Sequence, residues 1–115
     1  EPKEFEVSHI KNATLVGCDF FDIKTITEKY TNKDQKIVVY CSIGIRSETI
    51  AKKLKDEGYT NVFNLYGGIF EWKNNDFTVV DSEDNETEQI HTFNEAWSKW
   101  LTKGIKVFET TSTKK

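Results

Sequence analysis

The sequence lacks several features that mark particular classes of protein. It has no methionine, one proline and six glycines among 115 residues, which excludes collagen-like and low-complexity chains. Its two cysteines, Cys18 and Cys41, are too few for a disulfide framework or a four-cysteine zinc site. No apolar run approaches the roughly 20 residues that cross a bilayer. We therefore expect a soluble, folded chain with no membrane span.

The charge balance argues against a polyanionic partner. Sixteen basic and 19 acidic residues give a formal charge of -3, whereas nucleic-acid binding usually needs a broad basic surface. The length of 115 residues fits one compact domain. The first residue is Glu1 rather than methionine, so we expect that it is not the translational start.

The middle of the chain has a β-α-β pattern. Residues 37–40 form a continuous β-favouring apolar run, which predicts a strand buried on both faces. Residues 47–57 place apolar side chains at helical spacing, and Gly58 follows as a helix stop. Residues 62–66 form a second apolar run, so we predict an α/β fold with a parallel strand pair and a right-handed crossover.

The flanking segments give weaker patterns. We predict a short strand at 13–16 and a helix at 23–30 before the β-α-β unit, then a helix at 69–73 and an extended piece at 77–80. Residues 81–88 are acidic and polar, which predicts an exposed loop.

A capping-box pattern begins the C-terminal region. It predicts a helix that ends before Gly104 and docks on the same domain, so that residues 81–108 form an acidic loop and a helical extension. If this helix is instead exposed, its apolar stripe is a partner surface. The polar tail 109–115 is expected to fray. The capping box is Thr92-Phe93-Asn94-Glu95, and the stripe consists of Phe93, Trp97, Trp100 and Leu101.

Residues 41–47, here called the anion loop, combine three features that favour an anion. A helix N-terminus offers unpaired N–H groups, Gly44 permits a positive φ, and Arg46 adds a cation. These features also favour the thiolate form of Cys41. The loop is thus predicted to be an anion pocket with a sulfur nucleophile at its base.

Plainer interpretations exist for each residue. Cys41 ending a strand is also compatible with simple burial, and Arg46 with a surface ion pair to Glu48 or another carboxylate. Cys18 is expected to serve packing, although a disulfide with Cys41 is the alternative if their Cα atoms lie within roughly 7 Å. His9 and His91 are expected to be structural hydrogen bonders, because no cysteine or carboxylate stands at metal or catalytic spacing from either.

Three blocks of the sequence stand out over residues 1 to 75. They are Glu1-Pro2-Lys3-Glu4-Phe5 with Ser8-His9-Ile10, then Ile37-Val38-Val39-Tyr40-Cys41 with Gly44 and Arg46-Ser47, then Gly58-Tyr59 with Gly67-Gly68 and Trp72. In this order and spacing the blocks resemble the rhodanese-like, or sulfurtransferase, domains. The resemblance implies a three-layer fold, with a mainly parallel sheet flanked by helices, in a domain spanning 1–80.

The resemblance also implies a missing element. In the family, a buried strand precedes the first of these blocks, and this chain begins just after that point. An incomplete parallel sheet exposes an apolar edge. We therefore expect either a truncated sequence or a strand supplied by a partner chain, for example through homo-oligomerisation or strand exchange.

The chemistry implied by the resemblance is sulfur transfer. Cys41 would be the catalytic residue that takes a sulfane sulfur from a donor such as thiosulfate, and cyanide, a small thiol or a protein thiol would accept it. No metal or organic cofactor is expected. The expected location is the cytoplasm, or outside it if a leader preceded Glu1. The residues expected to bind the donor are Ser42, Ile43, Gly44, Ile45, Arg46 and Ser47.

Loop length separates this chemistry from its relatives. Four residues lie between Cys41 and Arg46, whereas the related phosphatase pattern has five and makes a wider ring for phosphate. A phosphatase or arsenate reductase is therefore the less favoured reading. A non-catalytic sulfur carrier or binding module of the same fold remains the main alternative.

Overall fold

The computed structural model describes residues 1–92 and 95–108. None of the described helices is long and apolar enough to span a bilayer. The elements in chain order are α1 (Pro2–Val7), α2 (Ile23–Lys29), β1 (Ile37–Val39), α3 (Ile45–Asp56), β2 (Val62–Asn64), α4 (Gly68–Asn74), β3 (Val79–Val80), β4 (Glu86–Thr87), β5 (Gln89–His91), α5 (Glu95–Ser98) and β6 (Ile105–Val107).

The predicted β-α-β unit is confirmed. β1 and β2 pair in parallel, with Ile37 opposite Val62, and α3 connects them. The buried side chains of α3 pack into a core cluster with Ile26, Tyr59 and Val62. Tyr59 is 2% exposed and its hydroxyl donates to the carbonyl of Tyr30, so the polar end of this core residue is satisfied. This unit fixes the end of β1, where the anion loop begins.

A second core cluster lies under the C-terminal elements. It contains Phe70 from α4, Ile90 from β5 and Leu101, each 1% exposed. Burying a side chain of this size contributes about 1.5–3 kcal/mol. The helix predicted at 69–73 is confirmed as α4, and its buried face anchors the C-terminal region to the rest of the chain.

The prediction of a strand at 13–16 is wrong. The Ala13 N–H donates to the carbonyl of Ile10 in a turn, and the segment that follows pairs with no strand among the described residues. A cavity of about 340 Å³ lies between residues 12–18 and β1, and it extends to Cys41. With no neighbour at pairing distance, the backbone of 13–16 has no ladder to join.

The prediction that the first strand is buried on both faces is also wrong, because the side chain of Val38 is 51% exposed. In the part of the chain described, β1 pairs with β2 alone. A parallel strand needs cover on both faces and neighbours on both edges to be fully buried. The prediction of a further strand preceding residue 1 stays a prediction.

The segment predicted as an acidic loop contains a strand. β4 lies within 81–88 and pairs antiparallel with β3, so that Val79 faces Thr87. The turn between them is held by Asp81, whose carboxylate accepts from the N–H groups of Glu83 and Asn85. This Asx-type turn connects β3 and β4 into a hairpin, which the polar composition of the segment did not predict.

The C-terminal helix ends earlier than predicted. Among the described residues α5 covers Glu95–Ser98, whereas the predicted positions Phe93 and Asn94 and the tail 109–115 lie outside them. β5 and β6 pair in parallel, and α5 lies in the connection between them. The chain must return to the sheet within residues 92–104, which limits how far the helix can extend. Leu101 of the predicted stripe is buried, whereas Trp100 is 56% exposed.

Candidate active site

The anion loop connects β1 to α3 as the sequence predicts. Gly44 has φ 97°, the left-handed conformation expected of it, and it occupies the N-cap of α3. The helix begins at Ile45, two residues earlier than the pattern indicated, so Arg46 and Ser47 lie in its first turn. No side chain caps the N-terminus of α3, because its N-cap is Gly44.

The first two carbonyl groups of the anion loop accept hydrogen bonds from N–H groups of α4. The Ile69 N–H donates to the carbonyl of Cys41 at 2.8 Å, and the Phe70 N–H donates to that of Ser42 at 3.0 Å. A Cβ on Gly68 would overlap both carbonyl oxygens, so only glycine permits this approach. The glycine pair after β2 thus positions the loop.

The Cys41 sulfur lies among hydrogen-bond donors. The Gly44 N–H donates to Sγ at 3.1 Å, and Ser47 Oγ lies 3.5 Å from it. Burial raises the pKa of the Cys41 thiol, but the hydrogen bonds from Ser47 and Gly44 and the charge of Arg46 outweigh it and lower the pKa. The loop therefore favours the thiolate, which is the nucleophilic form.

Arg46 is engaged by a residue that the sequence patterns did not identify as part of the site. Its two terminal nitrogens donate to the carboxylate of Glu4 at 3.0 and 2.8 Å, and Ser42 Oγ donates to the same carboxylate at 2.6 Å. The alternative of an ion pair with a carboxylate is thus realised, with Glu4 rather than Glu48 as the partner. Burial raises the pKa of Glu4, but the hydrogen bonds from Arg46 and Ser42 outweigh it and lower the pKa to about 2.

Asn64 is a second residue that the patterns missed. Its side-chain NH₂ donates to the carbonyl of Gly44 at 2.9 Å, and its Oδ1 accepts from Ser47 Oγ. It ends β2, next to the end of β1, where the carboxyl ends of parallel strands bring side chains together. That general rule was the signal available in the sequence.

The other predicted loop residues divide between core and surface. Ile43 packs against the second core cluster, whereas Ile45 is 60% exposed. Both cysteines are free thiols, so Cys18 and Cys41 form no disulfide. His9 stacks on Phe5 with ring centroids 3.8 Å apart. Within residues 1–92 and 95–108, no group of three His, Cys, Asp or Glu side chains could hold a metal ion.

Comparison with known proteins identifies the family of this chain. The chain is 38% identical over 72 residues to proteins called tRNA uridine(34) hydroxylase from Escherichia coli O139:H28 (strain E24377A / ETEC) and from Escherichia coli strain K12 / DH10B. Each match covers 60% of this chain and 21% of the relative, so the chain spans about a fifth of their length. The model of the rhodanese-like domain matches residues 1–75. The chain therefore belongs to the rhodanese-like domain family.

Proposed function

We propose that the protein is a sulfurtransferase that carries a sulfane sulfur on Cys41. The observation that supports this most directly is the position of Cys41 Sγ, 3.1 Å from the nitrogen of Gly44 at the N-cap of α3, where hydrogen bonds from Ser47 and Gly44 and the charge of Arg46 lower the pKa of the thiol. A persulfide is anionic near neutral pH and needs the same donors as a thiolate. The N–H groups of the loop then serve both forms.

The reaction is a double displacement. The Cys41 thiolate attacks the outer sulfur of a donor such as thiosulfate, the donor S–S bond breaks, and sulfite leaves with the electron pair. An acceptor thiolate or cyanide then attacks the terminal sulfur of the Cys41 persulfide, and the thiolate is regenerated. Neither step changes the overall oxidation level, so the cycle requires no metal or organic cofactor.

The charge around the loop bears on the donor. The sequence predicts that Arg46 binds the donor, but the positive charge of its guanidinium is compensated by the Glu4 carboxylate. A dianionic donor therefore gains less from Arg46 than a free cation would give it. We propose that the backbone N–H groups of the loop supply most of the anion binding, with Arg46 contributing through the loop it holds in place.

The anion loop also favours sulfur transfer over phosphate hydrolysis. Four residues separate Cys41 from Arg46, which makes a smaller ring than the five-residue phosphatase pattern. Carriage of sulfur without turnover of thiosulfate remains the alternative within the same fold. Both share the Cys41 persulfide and differ only in the donor.

The name of the relatives supports a second candidate, the hydroxylation of a tRNA uridine, which would also require an external two-electron oxidant such as a peroxide that is reduced to water. The 38% identity over 72 residues is the observation that favours it. The chain covers 21% of those proteins, and its net charge of -3 does not favour a nucleic-acid substrate. Mass spectrometry of nucleosides from tRNA incubated with the protein tests this candidate, since hydroxylation adds one oxygen atom.

Intact-mass measurement after incubation with thiosulfate tests the sulfurtransferase proposal. The protein should gain one sulfur atom, and the gain should persist in Cys18→Ser and disappear in Cys41→Ser. The Cys18 variant is the matched control because it removes the other free thiol. If the mass increases with neither thiosulfate nor an organic persulfide, the proposal is contradicted. An increase with the organic persulfide alone would indicate a sulfur carrier that does not turn over thiosulfate.

A further inference from the structure

A second depression borders the anion loop on the side away from Glu4. This loop cleft has a volume of about 460 Å³ and includes Gly44 among its lining residues. Cys41 itself lines the cavity of about 340 Å³ rather than the loop cleft, whereas Gly44, whose N–H donates to Cys41 Sγ, lines the cleft. A molecule bound in the cleft would therefore contact the loop residue that holds the sulfur.

The walls of the loop cleft expose large apolar side chains. Tyr66 is 88% exposed, Ile45 is 60% exposed and Trp100 is 56% exposed, and all three line the cleft. Aromatic side chains that remain exposed around a depression are typical of binding surfaces. Cyanide or a small thiol would fill little of this volume and would leave these side chains without contacts.

The charged groups that line the loop cleft are all of one sign. Glu48 in the first turn of α3 and Glu71 in α4 line it, and no lysine or arginine does. Neither carboxylate forms an ion pair among residues 1–92 and 95–108. Lys99 does not line the cleft, and its Nζ lies 5.2 Å from the centroid of the Trp100 ring. The cleft is therefore complementary to a cationic partner.

We propose that the loop cleft docks the sulfur acceptor, and that this acceptor is a protein thiol flanked by an apolar side chain and by lysine or arginine. The inference rests on the proposed function, since it names the acceptor class for the Cys41 persulfide. The acceptor thiolate attacks the terminal sulfur, the Cys41–S bond breaks, and a persulfide on the acceptor and a Cys41 thiolate result. The apolar groups would contact Tyr66 and Trp100, and the cations would pair with Glu48 and Glu71.

Acceptor peptides on the persulfide-loaded protein test this. Three pentapeptides with blocked ends serve as probes: Lys-Phe-Cys-Phe-Lys, Glu-Phe-Cys-Phe-Glu and Lys-Gly-Cys-Gly-Lys. Each rate is divided by the rate of the same peptide with a small aromatic disulfide, which corrects for differences in thiol pKa. At low ionic strength the first peptide should react about tenfold faster than either of the others, because it alone supplies both charge and apolar contact.

Variants locate the effect. Glu48→Gln combined with Glu71→Gln should abolish the preference for lysine over glutamate, and Tyr66→Ala should reduce the preference for phenylalanine over glycine, while the rate with cyanide stays unchanged. Glu57→Gln is the matched control, since Glu57 lies at the other end of α3, about 13 Å along the helix axis from Glu48. It should leave both preferences intact.

The outcomes separate the inference from the proposed function. If Cys41 fails to acquire sulfur, the proposed function fails and the inference fails with it. If Cys41 loads normally but the three peptides react equally, or if the double variant keeps the charge preference, the docking inference alone is overturned. Calorimetric titration with Lys-Phe-Ser-Phe-Lys, which cannot react, should show binding that the double variant loses.

Discussion

The two sides of the anion loop differ in how completely their groups are satisfied. On the inner side, the Glu4 carboxylate is 14% exposed and accepts from Arg46 and Ser42 within 3.0 Å. On the outer side, Ile45 and Tyr66 are mostly exposed. The anion loop thus forms several hydrogen bonds on its inner side, whereas exposed apolar side chains lie on its outer side.

This difference indicates that the two sides of the loop have different roles. Groups that are bonded before any ligand arrives fix the loop geometry and the thiolate, so changing them should alter stability and the pKa of Cys41. Exposed groups on the outer side contribute little to folding, since surface substitutions usually cost within about 0.5 kcal/mol. Changing them should alter the choice of acceptor alone.

Replacing Gly44, which belongs to both sides, should have the largest effect. Alanine at φ 97° costs about 1–2 kcal/mol, and relief of that strain would move the N–H away from Cys41 Sγ. Loss of one such donor reduces a rate about 100-fold. We expect Gly44→Ala to slow persulfide formation by about that factor, measured in single-turnover experiments with thiosulfate.

Gly58→Ala provides the matched control. Gly58 has φ 105° just beyond the C-terminal end of α3, so alanine there meets the same backbone strain far from Cys41. Urea unfolding should show similar losses of stability for both variants, while the control keeps the wild-type rate of persulfide formation. Equal slowing in the two variants would mean that Gly44 acts through global stability.

Removing the Glu4 carboxylate from the inner side should lower the stability of the fold by an intermediate amount that depends on pH. The folded-state pKa of about 2 lies below the ordinary 4.5, so Glu4 stabilises the fold above pH 4.5 and loses this contribution as the pH falls toward 2. The stability gap between wild type and Glu4→Gln should therefore shrink by about 1 kcal/mol between pH 6 and pH 4. Urea unfolding at the two pH values measures this gap.

An exposed carboxylate serves as the comparison. Glu28 on α2 is exposed, so Glu28→Gln removes one carboxylate without changing the anion loop and serves as the control variant. A gap for Glu4→Gln that stays constant with pH would contradict the assignment of a depressed pKa to this carboxylate.

Local sequence patterns predicted the part of the fold whose contacts are close in sequence. The β1-α3-β2 unit was predictable because Ile37 and Val62 begin apolar runs and Gly58 marks the end of a helix. The C-terminal region was not, since β5 pairs with β6 across a gap that no local pattern encodes. The exposed Trp100 shows the same limit, because an apolar stripe does not reveal whether a partner element covers it.

The site followed the same rule. Cys41 and Gly44 were predictable because the loop chemistry is local, with donor and sulfur three residues apart. Glu4 was not, since its bonds to Arg46 span 42 residues. Asn64, 20 residues from Gly44, required knowledge of strand pairing. Residues that position the loop were thus harder to predict than residues that compose it.

Replacing Ser47 should have the smallest effect, and the result identifies the acceptor of its hydroxyl proton. Its single hydroxyl proton serves either Cys41 Sγ, at 3.5 Å, or Asn64 Oδ1. If the proton serves the sulfur, Ser47→Ala removes a bond worth about 0.5–1.5 kcal/mol, and the pKa of Cys41 rises by up to about one unit.

The pH dependence of iodoacetamide alkylation, measured in a Cys18→Ser background, reports the pKa of Cys41. Ser98→Ala is the control, because it removes another buried serine hydroxyl, which bonds to the carbonyl of Glu95. An unchanged pKa of Cys41 in Ser47→Ala would assign the hydroxyl proton to Asn64 Oδ1. Ser47 would then stabilise the inner side of the loop without donating to the sulfur. A raised pKa would make it a direct donor to the thiolate, because only a group that bonds the charged form more strongly than the neutral one shifts the titration.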